Sequence, residues 1–568
     1  MTTIVKVLVL FIVFQSWAQK DYKLSFKKQS FPKSEKYTKK SFKSKNEVLE
    51  ELESIKFKHR KKGYVLANVD SLVWEDQTAH VYYYLGPTFE KITINIAEKH
   101  EYLIRKIPRI SEKQLLKTPF KPQEVAIMLS GIITYLQNNG HPFAKVWLEV
   151  EQLNPKKAAA TLHIEKGVEV EITKIHLRGE GADKVGEVYI KNFISIKEGD
   201  LYDESRIAKI SSRVQQIQFI DEIKPSEILF TPEGAEVFLY LESNPVSLIN
   251  GVVGLQPNPV TGENVFTGDV RLKLQNILNK GELLDVNWRS LQPETQDLNL
   301  QLSYPFLFDT PFGVDGRFDL YRRDSTFLTT ITNIGVQYFM KGGNYLKVFY
   351  EAENSNLLSG SGNSSNLPNT NFSSIRSNQY GLGFYRRQLD YLPNPSKGLE
   401  ISLDGLIGRR SSRRPDTDTS SIVTTYSVRA DISWYIPLTR RHVIKLANRT
   451  KMYYAPEIFV NELYRFGGLN TMRGFDEEEL FASSLTTFSL EYRFLVDQNS
   501  HAFAFFDQSF YENNSAEYYK DNPFGVGAGF SFGTNIGVFS ISYGIGKQFD
   551  NPMLLRNGKV HFGYVSFF

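Results

Sequence analysis

The sequence predicts a chain in two parts: small α+β repeats, then an all-β barrel of about 16 antiparallel strands that crosses a membrane. Three observations carry that expectation. The spacing of apolar residues changes from a helical period to strict alternation near residue 245. No stretch beyond the N-terminus approaches the roughly 18 consecutive apolar residues of a membrane helix, so a spanning structure has to be a closed sheet. Long polar insertions alternate with short turns through the second part, as the two kinds of loop do in outer-membrane barrels.

Composition sets the outer limits. At 568 residues the chain holds several units, and its net charge of +4 gives no electrostatic footprint for nucleic acid. Cysteine is absent, which removes disulfides, zinc–thiolate sites, cysteine nucleophiles and a cysteine-linked lipid anchor.

Residues 1–18 read as a signal peptide: Lys6, an apolar run from Val7 to Phe14, then Ser16-Trp17-Ala18 before Gln19. The exported chain opens on ten lysines among the 26 residues from Lys20 to Lys45. A solvated linker explains such a run, and so does contact with acidic headgroups or an acidic partner.

The repeats come next. Residues 19–87 hold the lysine-rich segment and a first copy, with helix "NEVLEELESIKFKHRKKG" and strands "YVLANVDSLVW" and "TAHVYYYLG". In the second copy, residues 88–168, Val125, Met128, Ile132 and Leu136 form one helical stripe that ends at Asn139-Gly140. Two strands follow, joined at Asn154-Pro155. The third, residues 169–245, opens on "EITKIHLRG", passes through a helix "SRIAKISSRVQQI" and closes on "EILFTPEGAEVFLYLE". Each copy is roughly 75 residues, enough for one sheet and two helices.

From 246 to 568 the period is two. In "NVFTGDVRLKLQ", Phe266, Gly268, Val270, Leu272 and Leu274 oppose Thr267, Asp269, Arg271, Lys273 and Gln275. "YSVRADISWYIPL" and "TTFSLEYRF" alternate likewise, placing Val428 and Leu490 on apolar faces. A soluble sandwich also alternates. Aromatic residues near strand ends, long insertions such as "GRRSSRRPDTDTSS" and a terminal strand "GKVHFGYVSFF" favour the barrel. The arginines around Arg409 and Arg413 either meet phosphate-bearing lipid or are simply solvated.

One stretch departs from this pattern: "FGGLNTMRGFDEEE", Phe466 to Glu479. Alternation sets Glu491 on the lumenal face of its strand, and Asp507 with Phe503 and Phe505 on the lumenal face of the next. A guanidinium offers five donors in a rigid fork, so Arg473 suits those carboxylates if the loop folds back into the barrel. Taken in isolation, an arginine beside an acidic run reads more readily as a solvated surface residue. "GVGAGFSFG" reads as lumenal glycines that leave room for such a loop, rather than as a nucleotide fingerprint, because no helix follows. No H-E-x-x-H, phosphate loop or Ser-His-Asp arrangement occurs, so neither metal nor cofactor is called for, and no enzyme chemistry.

These motifs together resemble the BamA/TamA superfamily of outer-membrane insertases and secretion pores. "TMRGFDEEE" is similar to that family's arginine–glycine–aromatic motif on its sixth external loop, with Met472 where valine is commoner. "FAFFDQS" looks like the strand motif that supplies the aspartate partner, and "LDYLPNPSKGLEISL" like an earlier barrel signature with Asp390, Pro395 and Gly398. The resemblance implies three periplasmic POTRA domains ahead of a 16-stranded barrel in the bacterial outer membrane. It implies a loop lock made of Arg473, Gly474, Phe475, Asp507 and Glu491. It also implies a seam and sorting signal near Tyr564 and Phe568, with the first and last strands able to part. The implied function is insertion or export of β-rich client proteins, with two-partner secretion or a passive porin as alternatives. The implied partners are outer-membrane lipids, unfolded or exported clients and a periplasmic or inner-membrane accessory protein; nucleic acid is not among them.

Overall fold

The computed structural model describes residues 22–26, 41–64, 66–86, 91–106, 122–153, 157–244, 246–257, 264–290, 295–323, 326–358, 372–392, 394–413, 420–515, 517–534 and 537–565. The signal peptide and Phe568 lie outside them, as do most of the lysine-rich segment and Asn154-Pro155. The chain divides near residue 172 into two compact units.

The first unit contains two small α+β domains. One comprises β1 (Lys23–Phe26), α1 (Lys45–Lys61), β2 (Asn68–Glu75) and β3 (Thr78–Tyr84). Ser44 caps α1 by accepting from the Glu47 N–H, and Val48, Leu52, Ile55 and His59 form its buried stripe. The sheet runs β1-β3-β2. The linker reading therefore fails for Lys23–Phe26, which pair in parallel with Thr78–Val81. Leu24 and Phe26 pack on the core, and that apolar contact outweighs the surrounding lysines.

The other contains β4 (Lys91–Ile96), α2 (Glu98–Lys106), α3 (Pro122–Gln137), β5 (Lys145–Leu153) and β6 (Lys157–Glu165), with sheet order β4-β6-β5. Met128, Ile132 and Leu136 of α3 are buried, as the stripe predicts.

In the second unit a third domain comprises β7 (Ile172–Arg178), α4 (Glu187–Ile194), α5 (Glu204–Ile207), α6 (Ile210–Val214), β8 (Ile220–Thr231) and β9 (Gly234–Ser243). Its sheet repeats the pattern, β7-β9-β8. The single helix expected over 205–217 is two short pieces. The first buries no side chain, while Ile210 and Val214 of the second are fully buried, so nothing anchors a continuous helix. The longer helix is α4, which buries Tyr189, Ile190, Phe193 and Ile194.

This domain is docked on the short turns of the barrel. Tyr189 meets Phe306 edge-on at 5.6 Å, and Phe306 packs on Phe339 at 4.8 Å. Asn192 Nδ2 donates to Asp309 Oδ1 at 2.7 Å, which holds that carboxyl below the usual carboxylate range, with Lys197 adding to the effect. The contact is present above the ordinary carboxylate pKa and weakens as pH falls through the depressed value.

The remaining strands begin with β10 (Leu248–Pro257), β11 (Asn264–Gln275), β12 (Leu283–Ser290), β13 (Gln296–Tyr304) and β14 (Phe312–Arg323). Next come β15 (Phe327–Phe339), β16 (Tyr345–Leu357), β17 (Ser374–Leu389), β18 (Gly398–Arg413), β19 (Ser420–Pro437) and β20 (His442–Tyr454). A loop over 455–483 contains the small hairpin β21 (Tyr464–Phe466) and β22 (Leu480–Ala482). Finally there are β23 (Ser484–Leu495), β24 (His501–Asn513), β25 (Tyr519–Asp521), β26 (Phe524–Thr534), β27 (Gly537–Lys547) and β28 (Lys559–Val565).

Apart from the separate β21–β22 hairpin, each pairs antiparallel with the next from β10 through to β28, so that β20 joins β23. Because β25 and β26 both pair with β24, they are one strand broken at Asn522-Pro523, which makes 16 strands in all. The sheet wraps around the 455–483 loop, which touches Arg289 on β12, Tyr321 on β14, Arg410 on β18 and Lys559 on β28. Among the described residues β10 and β28 share no ladder.

No described helix is long and apolar enough to cross a membrane, which says nothing of crossing by the sheet. Val428 and Leu490 are 47% and 46% exposed on its outer face, while Glu491 and Arg493 are buried on the inner one. Arginine at Leu490 is accordingly expected to cost about 2–4 kcal/mol near the bilayer midplane, and arginine at the neighbouring Ser489 much less. Urea titration of the lipid-inserted barrel measures both, and equal costs would mean that neither face meets lipid.

Candidate functional site

The loop between β20 and β23 enters the barrel and turns back on itself. Gly468 and Met472 form an antiparallel bridge, with Gly468 N–H donating to Met472 O at 3.0 Å. Thr471 Oγ1 accepts from the Gly467 N–H at 2.8 Å, and the Asn470 carbonyl accepts from Arg449 of β20. Arg473 therefore leaves a tight turn aimed at the wall.

Its guanidinium is bidentate on Asp507, Nε to Oδ2 at 2.8 Å and Nη2 to Oδ1 at 2.7 Å. The Arg473 backbone N–H adds a third donor to Oδ2 at 3.1 Å. Nη1 donates to Glu491 Oε2, and the other oxygen of Glu491 accepts from Arg493 Nε at 2.6 Å. The guanidinium carbon lies 3.8 Å from the centre of the Phe505 ring. Two guanidinium groups thus pair with two carboxylates, and Lys445 of β20 lines a cavity beside them. Arg473, Glu491 and Asp507 are 9%, 4% and 2% exposed, so the pairing is buried between loop and wall.

Gly474 passes the wall so closely that a Cβ would lie 2.8 Å from Gly546 N, and its φ of +94° suits glycine. The wall yields too: a Cβ on Gly525 would lie 1.9 Å from Arg473 O, and one on Gly546 would lie 2.6 Å from the Phe475 ring. Of the glycines in "GVGAGFSFG", Gly525 makes room for the loop, whereas a Cβ on Gly527, Gly529 or Gly533 would meet neighbouring strands or the Asn499 turn instead. Phe475 packs with Phe466, Met472, Leu480 and Tyr511 in a small apolar core inside the lumen. The last strand is tied in as well, since Gly474 N–H donates to His561 Nε2 at 3.2 Å and Lys559 Nζ meets Asp476 at 2.6 Å. The acidic run disperses, with Glu478 paired to Arg465 at 2.8 Å and to Arg289 at 3.4 Å.

A second anchor was missed by the sequence reading. Glu462, at the start of the same loop, accepts from Arg410 Nη1 at 2.6 Å, from Tyr453 at 2.7 Å and from the Phe459 N–H at 2.9 Å. Arg410 is wholly buried. Asn461 adds bonds to Ser355 Oγ at 2.8 Å and Ser373 O at 2.9 Å. Of the arginines read as lipid-facing or solvated, Arg409 and Arg413 are exposed while Arg410 turns inward. Parity along the strand was the available signal for Arg410; nothing local marked Glu462.

The other expected residues lie elsewhere. Tyr564 stacks on Phe539 of β27 at 4.3 Å. Asp390 Oδ1 accepts from the Tyr391, Ser396 and Lys397 N–H groups at 2.9–3.0 Å, shaping the β17–β18 turn. Near the loop, a cavity of about 620 Å³ is lined by Arg317, Asp319, Glu351, Arg429 and Tyr453. Among the described residues no group of three or more His, Asp or Glu could hold a metal ion.

A 16-stranded outer-membrane barrel, preceded by small α+β domains and plugged by an arginine-pinned loop, defines a class of protein. The Omp85 superfamily domain matches residues 276–568, and the chain belongs to that superfamily. Its resemblance to BamA/TamA proteins holds at that level. CdiB from Acinetobacter baumannii is similar at 16% identity, over 88% of this chain and 95% of that one, with a TM-score of 0.50. CdiB from Escherichia coli is similar at 15% identity, over 91% and 96%, with a TM-score of 0.50. BamA from Haemophilus ducreyi lacking POTRA domains 1–3 gives 16% identity, 84% and 98% coverage and a TM-score of 0.42. At such identities the likeness concerns the fold alone. No curated protein matches the chain.

Proposed function

We propose that this protein inserts or exports β-rich clients at the outer membrane, with its POTRA domains in the periplasm receiving them. The observation that carries the reading is the loop pinned inside the barrel and tied to the last strand, which among the described residues has no ladder to the first. A passive pore needs neither a plugged lumen nor three small domains ahead of it. Each small domain ends in an open edge, β2, β5 or β8, able to take an incoming extended segment by strand addition. Residues Arg473, Gly474, Phe475, Glu491 and Asp507 act as the loop lock, and the β10–β28 junction is where a client or its strand passes.

The experiment combines photocrosslinking at Val73 of β2 and Leu229 of β8 with single-channel recording. An unfolded barrel protein is expected to crosslink at both edges, and the wild-type channel to stay closed. A channel that conducts steadily and ignores Arg473→Ala, with no crosslinks, would mean a porin. Crosslinks only to a secreted non-barrel protein that crosses the membrane would mean a dedicated secretion pore.

A further inference from the structure

On the outer face of β15–β19 the side chains fall into level rows set by the ladder register. One row reads Ile334, Tyr350, Tyr380, Ile407 and Tyr426, continued by Tyr454 on β20. Below it come Val336, Val348, Leu382, Gly405 and Val428, and Tyr380 and Leu382 are 67% and 68% exposed. Tyrosines at one level over an apolar band mark the edge of the hydrocarbon layer.

Toward the long loops, the next row is Thr332, Ala352, Asn378, Arg409 and Thr424, and the one after is Thr330, Asn354, Arg376, Ser411 and Ile422. Arg376 and Arg409 are exposed and lie diagonally across the β17–β18 ladder, a separation of about 7–8 Å. Both rows lack a carboxylate. Arg376 Nε donates to Asn354 Oδ1 at 3.2 Å, a neutral acceptor that orients it without neutralising it, and beside it Tyr350 OH donates to Asn378 Oδ1 at 2.5 Å. Arg409 has no side-chain partner among the described residues.

Position fits as well. Ten residues separate Arg376 from Arg386, which faces outward at the opposite end of the same strand. At ~3.4 Å per residue and a tilt of ~40° that is about 26 Å, the height of an outer-membrane apolar band. The cost of a lipid-facing arginine falls steeply toward the interface, and a guanidinium pairs with phosphate in bidentate fashion.

We propose that Arg376 and Arg409, with Asn378 and Thr424 beside them, bind the phosphate of an anionic lipid in the external leaflet. Its acyl chains lie along Leu382, Ile407 and Val428. The leaflet assignment rests on the barrel orientation proposed above; the site itself does not depend on client handling.

The test uses the full exported chain in phosphatidylcholine nanodiscs containing phosphatidic acid, with lipids counted by native mass spectrometry after release. Wild type is expected to retain phosphatidic acid selectively, and millimolar inorganic phosphate to leave it in place. Arg376→Gln and Arg409→Gln should each weaken retention about fivefold, and together about 30-fold. Lys99→Gln, an exposed cation in the second small domain, should change nothing. If the double variant fails to insert, Arg409→Lys keeps the charge and should still lose a few-fold, because an ammonium lacks the planar fork. Unchanged retention in the glutamine or lysine variants, or full displacement by inorganic phosphate, overturns the site. Client crosslinking by these variants should stay at the wild-type level, so a failed lipid result leaves the transport reading standing.

Discussion

Asp507→Ala is expected to cost the inserted barrel about 3 kcal/mol and to free the 455–483 loop. The wild-type cluster balances Arg473 and Arg493 against Asp507 and Glu491 in a buried setting. Removing Asp507 takes away three of the four hydrogen bonds that hold Arg473, leaving two guanidinium groups on one carboxylate. Arg473→Ala instead leaves Asp507 without a counter-charge, while Glu491 keeps Arg493. Because each change removes the same contact, the double variant should fall short of the sum by about 1–3 kcal/mol. Arg473→Lys should rescue only partly, since one ammonium cannot serve two carboxylates with a planar fork. Urea midpoints supply the cycle. A cysteine at Asn470, unique in a chain that has none, reports the loop through its labelling rate with a maleimide. Strictly additive losses with unchanged labelling would dispose of the lock.

The second large effect is expected at Glu462. Arg410 is 0% exposed, and Glu462 supplies its carboxylate partner, so Glu462→Gln strands a buried cation at a cost of about 3–5 kcal/mol. Replacing both residues by methionine should recover most of that loss, because an apolar pair of similar volume removes the desolvation penalty along with the attraction. Cysteine labelling at Glu457 should rise in the single variant and fall back in the double. A Glu462→Gln protein with the wild-type urea midpoint would show that this anchor carries no weight, and the loop would then depend on Arg473 alone.

Much of the Arg473 geometry could be read from the chain, because it rests on local periodicity. Asp507 and Glu491 face inward for the same reason that Phe506 and Leu490 face outward: side chains alternate along a strand. Given a loop that folds inward, the guanidinium's choice of partners follows from its chemistry. How deeply that pairing is buried could not be read, since it depends on where the loop lies against β23 and β24. The small domains show the same division. The stripes of α1 and α3 announced their helices, yet β1 emerged from a lysine-rich run, because pairing to Thr78–Val81 and packing of Leu24 and Phe26 decide that strand.

By itself, the sequence determined the change of period near residue 245, the inward and outward faces of the barrel strands and the glycines that thin the wall. Each depends on neighbours within a few residues. Only the tertiary structure decided that the inward-facing Arg410 meets Glu462, 52 residues away, and that the loop reaches both walls. It also decided that Arg376 and Arg409 share a ledge above the tyrosine row. Such contacts depend on the path of an aperiodic loop and on the register between strands, which local spacing leaves open, whereas the closing of a sheet around a buried charge network fixes them.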